Sequence, residues 1–276
     1  MVLFPNCKIN IGLNVIAKRA DGYHNIATVF YPLSWYDAVE IIPQSAGASP
    51  ATPVQFSHSG LPVPGKVTDN ICLKAYHLLK KDFPGIPPVH MHLHKTIPTG
   101  AGLGGGSANG AFTLLLMNKK LELHLSSVQL AEYALQLGSD CPFFIVNTPC
   151  YATGRGEQMQ PVSLNLSSYS FLIVHPGIHI QTARAFSTLN PAQPSRPIKN
   201  IVQQPVETWR NELVNDFEAP LFREYPQIEE VKKTLYANGA LYASLTGSGS
   251  AVYGIFSKNK VPGLKWDKNY TQQVIQ

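Results

Sequence analysis

Apolar and polar positions alternate from Cys7 to Val15, with Ile9, Ile11, Leu13 and Val15 pointing one way and Lys8, Asn10, Gly12 and Asn14 the other. A period of two predicts a strand. One of its faces belongs to a core, and the polar face is either an open sheet surface or a face lined by a ligand. Val89 to His94 alternates again before running into Lys95-Thr96-Ile97-Pro98, and it places His90, His92 and His94 on one side. Imidazoles at that spacing suit a transition metal, but no carboxylate stands nearby in sequence to orient them. The expected reading is a solvated strand face, with no metal site. Helical spacing follows at Ala108, Ala111, Phe112, Leu115 and Leu116, ending in Lys119 and Lys120, where the last turn's carbonyls favour cations. Ser126 with Gln129 three residues on predicts the cap of a second helix, which Gly138 stops. That helix delivers Ser139-Asp140-Cys141-Pro142 into a turn.

Beyond Cys150, the Gly154-Arg155-Gly156 turn and the apolar run Phe171 to Val174 read as strand structure, and the prolines between Asn190 and Pro205 predict a loop. Pro226 opens a helix with Ile228, Val231 and Leu235 on its apolar face, and Asn238-Gly239 closes it. Leu241 to Thr246 and Ala251 to Phe256 then predict two strands joined by Gly247-Ser248-Gly249-Ser250. Strands and helices mix without regular βαβ repetition, so the expected class is α+β in two lobes, residues 1–155 and 156–276. The tail from Lys258 to Gln276 carries no element pattern, although Trp266 and Tyr270 are candidates to pack on the second lobe.

Composition narrows the class. Of the 276 residues only 14% are charged, against roughly 25% in an average soluble domain. Hydrophobic residues make up 44%, which excludes a disordered chain. The formal balance of +5 is spread along the sequence. It points weakly to an anionic ligand, and it includes no basic run of the kind that binds nucleic acid. Apolar runs are far shorter than the roughly 20 residues of a membrane-spanning helix. With no secretory pattern after Met1 and four scattered cysteines that form no CxxC pair, a cytoplasmic protein is expected.

The densest chemical signal is Pro98-Thr99-Gly100-Ala101-Gly102-Leu103-Gly104-Gly105-Gly106-Ser107-Ala108, set between a strand and a helix. Adjacent glycines let a ligand approach the backbone, and the start of the following helix offers free N–H groups and the positive end of its dipole. Phosphate is the natural guest. Gly100-x-Gly102-x-x-Gly105 also satisfies the dinucleotide fingerprint, with Lys120 to Leu125 alternating like a second strand that carries Glu122, but the loop does not follow its strand directly. A Walker loop is excluded, because Gly106 and not lysine precedes Ser107. The plainest alternative is a glycine-rich turn with Ser107 as a helix cap.

The loop resembles the nucleotide-binding motif Pro-x-x-x-Gly-Leu-Gly of the kinases named after galactose, homoserine, mevalonate and phosphomevalonate. Lys8-Ile9-Asn10 is similar to that family's first motif, and Leu245 to Ala251 to its third. Ala20-Asp21-Gly22-Tyr23-His24, Gly138 to Phe144 and Pro176-Gly177-Ile178 with Thr182 and Phe186 resemble the branch that acts on 4-diphosphocytidyl-2-C-methyl-D-erythritol. The resemblance runs from about Lys8 to Phe256. It implies an N-terminal lobe like the second domain of ribosomal protein S5, a ferredoxin-like C-terminal lobe, and an active site in the cleft between them. It also implies ATP with magnesium, a small cytidyl substrate phosphorylated on its 2-hydroxyl, and a place in the non-mevalonate route to isoprenoid precursors. Homoserine or mevalonate phosphorylation is the alternative within the family, and a non-catalytic nucleotide binder the alternative outside it.

Phosphoryl transfer needs the attacking oxygen aligned and the charge on the moving group neutralised. The amides from Gly100 to Ser107 are the expected cradle for the ATP phosphates, with the Ser107 hydroxyl in reach of phosphate or magnesium. Asp140 is the candidate general base and Lys8 its partner, holding the carboxylate ionised and stabilising the developing alkoxide; the family resemblance pairs these two. Each has a plainer role available: Asp140 as a turn aspartate capping local amides, Lys8 as a solvated strand lysine. Asn10 shares the Lys8 face and is a candidate to orient the acceptor or a phosphate. Tyr23 and His24 match the branch's pyrimidine-recognising turn, with Thr182 beside the site and Phe186 offering a second aromatic face. Asn70 is a candidate contact for adenine. Some members of the larger family bind magnesium through an acidic residue, and no equivalent is placed here, so no protein metal ligand is assigned beyond Ser107.

Overall fold

The computed structural model describes residues 1–44 and 53–276. Along the chain the strands are β1 (Val2–Leu3), β2 (Asn6–Lys18), β3 (His24–Tyr36), β4 (Ala38–Pro43), β5 (Val54–Gly60), β6 (Val89–Lys95), β7 (Cys150–Thr153), β8 (Gln158–Pro161), β9 (Tyr169–His175), β10 (Tyr242–Leu245), β11 (Val252–Ser257) and β12 (Thr271–Ile275). The helices are α1 (Ile71–Asp82), α2 (Gly105–Lys120), α3 (Ser127–Leu137), α4 (Cys141–Val146), α5 (Thr182–Ser187), α6 (Ile198–Ile201), α7 (Glu218–Glu224) and α8 (Pro226–Ala237). The strands form three sheets, ordered β1-β4-β6-β5, β2-β3-β7-β8 and β10-β11-β9-β12. Helices and largely antiparallel strands make this an α+β protein. The chain divides into two interleaved compact units, one of residues 1–7, 34–99 and 104–147, the other of residues 8–33, 100–103 and 148–276.

In the first unit, β6 is paired with β4 on one side and with β5 on the other, the β5 pairing being parallel. Its period of two buries Val89, Met91 and Leu93 against Leu79, Leu114 and Met117. The opposite face carries the imidazoles as expected, with His90 and His94 exposed and His92 held between the hydroxyls of Ser57 and Ser59 at 2.8 and 2.9 Å. Helix α2 starts at the glycines and α3 at the Ser126 capping box, ending at Gly138 as its spacing predicts. The alternation from Lys120 to Leu125 is not a strand. Glu122 and His124 adopt left-handed conformations (φ 52° and 56°), and the Asn118 side chain bonds both the N–H and the carbonyl of Leu125, which folds the segment into a turn.

The second unit centres on β9, which pairs with β11 and β12 on its two sides. Leu172 and Val174 join Ile228, Val231 and Leu235 of α8 in its core. The tail that carried no pattern supplies β12, and Trp266 stacks on Tyr270 at 5.9 Å as both pack against this core. The proline-rich stretch from Asn190 to Pro205 contains the short helix α6, anchored by buried Ile198 and Ile201. Among the described residues no helix is long and apolar enough to cross a membrane.

Candidate active site

The polar face of β2 is an interior surface. Lys8 is 3% exposed and Asn10 2%, so neither an open sheet surface nor a solvated lysine describes it. An ammonium group loses heavily on leaving water unless it gains partners. The Lys8 Nζ donates to Asn10 Oδ1 at 2.6 Å and lies 4.8 Å from the centre of the Phe30 ring, a cation–π contact. The Lys8 backbone N–H donates to the Leu103 carbonyl at 2.9 Å, which ties this strand to the first half of the glycine loop. Asn10 is committed to the protein on every side: its Nδ2 donates to Thr28 Oγ1 at 3.0 Å, and its backbone N–H donates to Thr246 Oγ1 at 3.0 Å.

The turn after β10 locks against the same loop segment. Thr246 Oγ1 donates to the Gly102 carbonyl at 3.1 Å, and the Ala251 N–H donates to the Ala101 carbonyl at 3.1 Å. Gly102 has φ +78°, and a Cβ there would stand 2.0 Å from the Thr246 carbonyl oxygen. Two separate requirements therefore exclude a side chain at 102, one of backbone conformation and one of space.

In the first unit the loop runs into α2 over a buried charge cluster. Lys95 Nζ bonds Asp37 Oδ2 at 2.5 Å, and Asn109 Nδ2 donates to the same oxygen at 2.8 Å. Asp37 Oδ1 accepts from the backbone of Thr96 at 2.7 Å and of Ile97 at 2.9 Å. Burial pushes the Lys95 ammonium below its ordinary range, while the Asp37 carboxylate pushes it back up. The cluster fixes the chain that enters the loop and, through Asn109, the first turns of α2. Gly104, in the left-handed region at φ 70°, is the N-cap residue and provides no side-chain cap. The first N–H groups of α2 are thus left to a ligand or to water.

Gly106 differs from the other loop glycines. It lies in the first turn of α2 with no positive φ, and a Cβ built there meets nothing within 4 Å. Neither backbone strain nor protein packing requires glycine at this position, which leaves close approach of a ligand. Gly106→Ala is expected to raise stability by about 0.5–1 kcal/mol through helix propensity and lower chain entropy, and to weaken nucleotide binding. Melting curves and an ATP titration on one preparation check both; an alanine variant with undiminished affinity would remove the ligand explanation.

Ser107 is half-buried. Burial pushes the neighbouring Cys141 thiol up to about 12, with Ser107 pulling it down and the Asp140 charge pushing it further up. Asp140 stands at the N-cap position of α4, half-buried, and its side chain makes no cap hydrogen bond. Asn70, by contrast, is an ordinary cap of α1, accepting from the Cys72 N–H at 2.9 Å.

The Ala20–His24 turn is built by Arg19 paired with Asp21 at 3.0 Å and by the Tyr23 N–H donating to Asp21 Oδ1 at 3.1 Å. Tyr23 is 54% exposed, with the Arg155 guanidinium 5.0 Å from its ring centre. His24 and Phe186 stack directly on each other at 4.8 Å and 16°, so in this arrangement they do not flank a slot for a third ring. Burial, then the charge of Lys18, holds the His24 imidazole below its ordinary range. Thr182 opens α5, and its hydroxyl bonds that of Ser248 at 3.2 Å, linking this helix to the turn after β10. The charged pair Asp37–Lys95, the hydroxyl of Thr28 and Arg155 carry no motif of their own; only their folded positions reveal them.

Known proteins share this arrangement. Residues 70–148 match the description "GHMP kinases N terminal domain" and residues 198–265 match "GHMP kinases C terminal". A mevalonate kinase of Methanococcus jannaschii has the same fold, with a TM-score of 0.68 at 14% identity over 94% of this chain and 92% of that one. The class is thus that of the GHMP kinases, phosphotransferases that take their phosphoryl group from ATP. A solved 4-(cytidine 5'-diphospho)-2C-methyl-D-erythritol kinase gives a TM-score of 0.79 at 29% identity, over 92% of this chain and 90% of that one. Relatives called 4-diphosphocytidyl-2-C-methyl-D-erythritol kinase include one from Bacteroides fragilis, 48% identical over 93% of this chain and 92% of its own. Another, from Cytophaga hutchinsonii, is 47% identical over 93% of each. The chain belongs to the 4-diphosphocytidyl-2-C-methyl-D-erythritol kinase family.

Proposed function

We propose that this protein transfers the γ-phosphoryl group of ATP to the 2-hydroxyl of 4-diphosphocytidyl-2-C-methyl-D-erythritol, a step on the non-mevalonate route to isoprenoid precursors. The observation that carries the reading is near-half identity, along almost the full length of both chains, to relatives named for that substrate. In this reading residues 1–155 form an S5-like ATP-binding lobe, residues 156–276 a ferredoxin-like lobe, and the reaction takes place in the cleft between them. The buried thiols of Cys72, Cys141 and Cys150 support a reducing, cytoplasmic compartment.

The amides from Gly100 to Ser107 hold the ATP phosphates, helped by the uncapped start of α2. The Asp140 carboxylate takes the proton of the substrate hydroxyl as its oxygen attacks the γ-phosphorus. The bond from that phosphorus to the bridging β-oxygen breaks, and ADP leaves with the electron pair. Lys8 neutralises charge as it develops on the attacking oxygen. Magnesium fits this donor set: a strongly hydrated cation held by ATP oxygens needs little from the protein, and the Ser107 hydroxyl is the group that would hold it. Bound there, it would screen the phosphate charge. Tyr23, His24, Thr182 and Phe186 receive the cytidyl end, with Tyr23 the aromatic left open for a ring.

Purified protein given ATP with 4-diphosphocytidyl-2-C-methyl-D-erythritol, homoserine or mevalonate, and read by product mass, tests the reading. One added phosphoryl group on the cytidyl alcohol alone is expected. Phosphorylation of homoserine or mevalonate in its place, or ATP consumption without any alcohol, would overturn it.

A further inference from the structure

We propose that Thr28 is a positioning residue for the Lys8 ammonium, acting through the side-chain amide of Asn10; this rests on Lys8 serving the phosphoryl transfer described above. The inference follows from the direction of each hydrogen bond. Thr28 is fully buried in β3, and its Oγ1 has one proton to give. The Gly12 carbonyl, 2.5 Å away, can only accept, so the proton goes there. Towards Asn10 the hydroxyl therefore offers a lone pair, and only the Nδ2 end of the amide can meet it, at 3.0 Å. The amide is fixed with its oxygen turned to Lys8, whose Nζ lies at 2.6 Å.

Thr246 closes the arrangement from the other side. Its hydroxyl accepts from the Asn10 backbone N–H and donates to the Gly102 carbonyl, so strand, amide and glycine loop share one hydrogen-bonded frame. Without the Thr28 oxygen, nothing distinguishes the two ends of the amide on that side. Rotation would set two N–H donors against the ammonium, replacing an attraction by a repulsion in a buried site where charges are poorly screened. The ammonium would then move off its position, and displacement of about 1 Å in a group that aligns reactants can cost ~100-fold in rate.

The test measures kcat and both KM values with ATP and the cytidyl alcohol for wild type, Thr28→Val, Thr28→Ser and Asn10→Ala, and for Thr28→Val combined with Asn10→Ala. Thr28→Val nearly keeps the volume but removes the lone pair, and it is expected to lower kcat roughly 100-fold while leaving the KM for ATP unchanged. Thr28→Ser restores the rate because it keeps the hydroxyl. In the Asn10→Ala background the valine adds no further loss, since the group it acts through is gone. Should the valine variant fail to fold, Thr28→Ala gives the same readout. An unchanged kcat in the variant, or an equal further loss without Asn10, would overturn the positioning role. An inactive wild type would instead overturn the kinase reading itself.

Discussion

Asp37→Ala is expected to lower folding stability by about 3–5 kcal/mol, the cost of stranding one member of a buried ion pair. At this chain length that corresponds to a fall in melting midpoint of roughly 10 °C. The carboxylate is a hub for four donors: the Lys95 ammonium, the backbone N–H groups of Thr96 and Ile97, and the Asn109 amide. Alanine leaves all four buried without that partner. Lys95→Met is expected to cost distinctly less, because the Asp37 charge keeps three N–H groups and methionine fills most of the vacated space. Thermal or urea unfolding of the two variants side by side checks the order. If Lys95→Met proved the more damaging, the ion pair and not the anchoring of the loop entrance would dominate. Because Thr96 and Ile97 lead straight into the glycine loop, the surviving folded fraction of Asp37→Ala should also bind ATP more weakly.

Asp140→Asn is expected to lower kcat by roughly 10³-fold, within the range general-base groups contribute, with nucleotide affinity close to wild type. The size follows from the chemistry. A carboxamide nearly matches the carboxylate in shape but cannot accept the hydroxyl proton. Steady-state turnover together with an ATP titration separates the two effects. A large loss of affinity with intact kcat would recast Asp140 as a binding group.

Much of the fold was legible because local rules and tertiary demands agreed. The capping box at Ser126, the glycine stop at 138 and the proline start at 226 each mark the helix end they predict. Where local pattern and burial disagreed, sequence reading failed. Alternation from Lys120 to Leu125 resembled a strand, but two left-handed residues and the Asn118 bonds made it a turn. Strand β12 was invisible because alternating half-buried and exposed residues on an edge strand carry little hydrophobic signal. The same limit applied to the site. Lys8 and Asn10 were found by their spacing and resemblance, yet their burial was not, since a polar face reads identically whether water or protein covers it. Thr28, Asp37 and Lys95 were beyond reach for a simpler reason. Their partners lie 16 to 72 residues away along the chain, so no local pattern contains them.

The proposed joint action of Lys8 and Asp140 is tested most directly by turnover of Lys8→Met, Asp140→Asn and the doubly substituted protein, all at saturating ATP and cytidyl alcohol. Groups that act as one unit lose their effect together. The double variant should therefore be no slower than the slower single variant, each being folded by melting. Losses that multiply, so that the double variant falls by the product of the two single effects, would show two independent contributions and contradict a shared proton-transfer site.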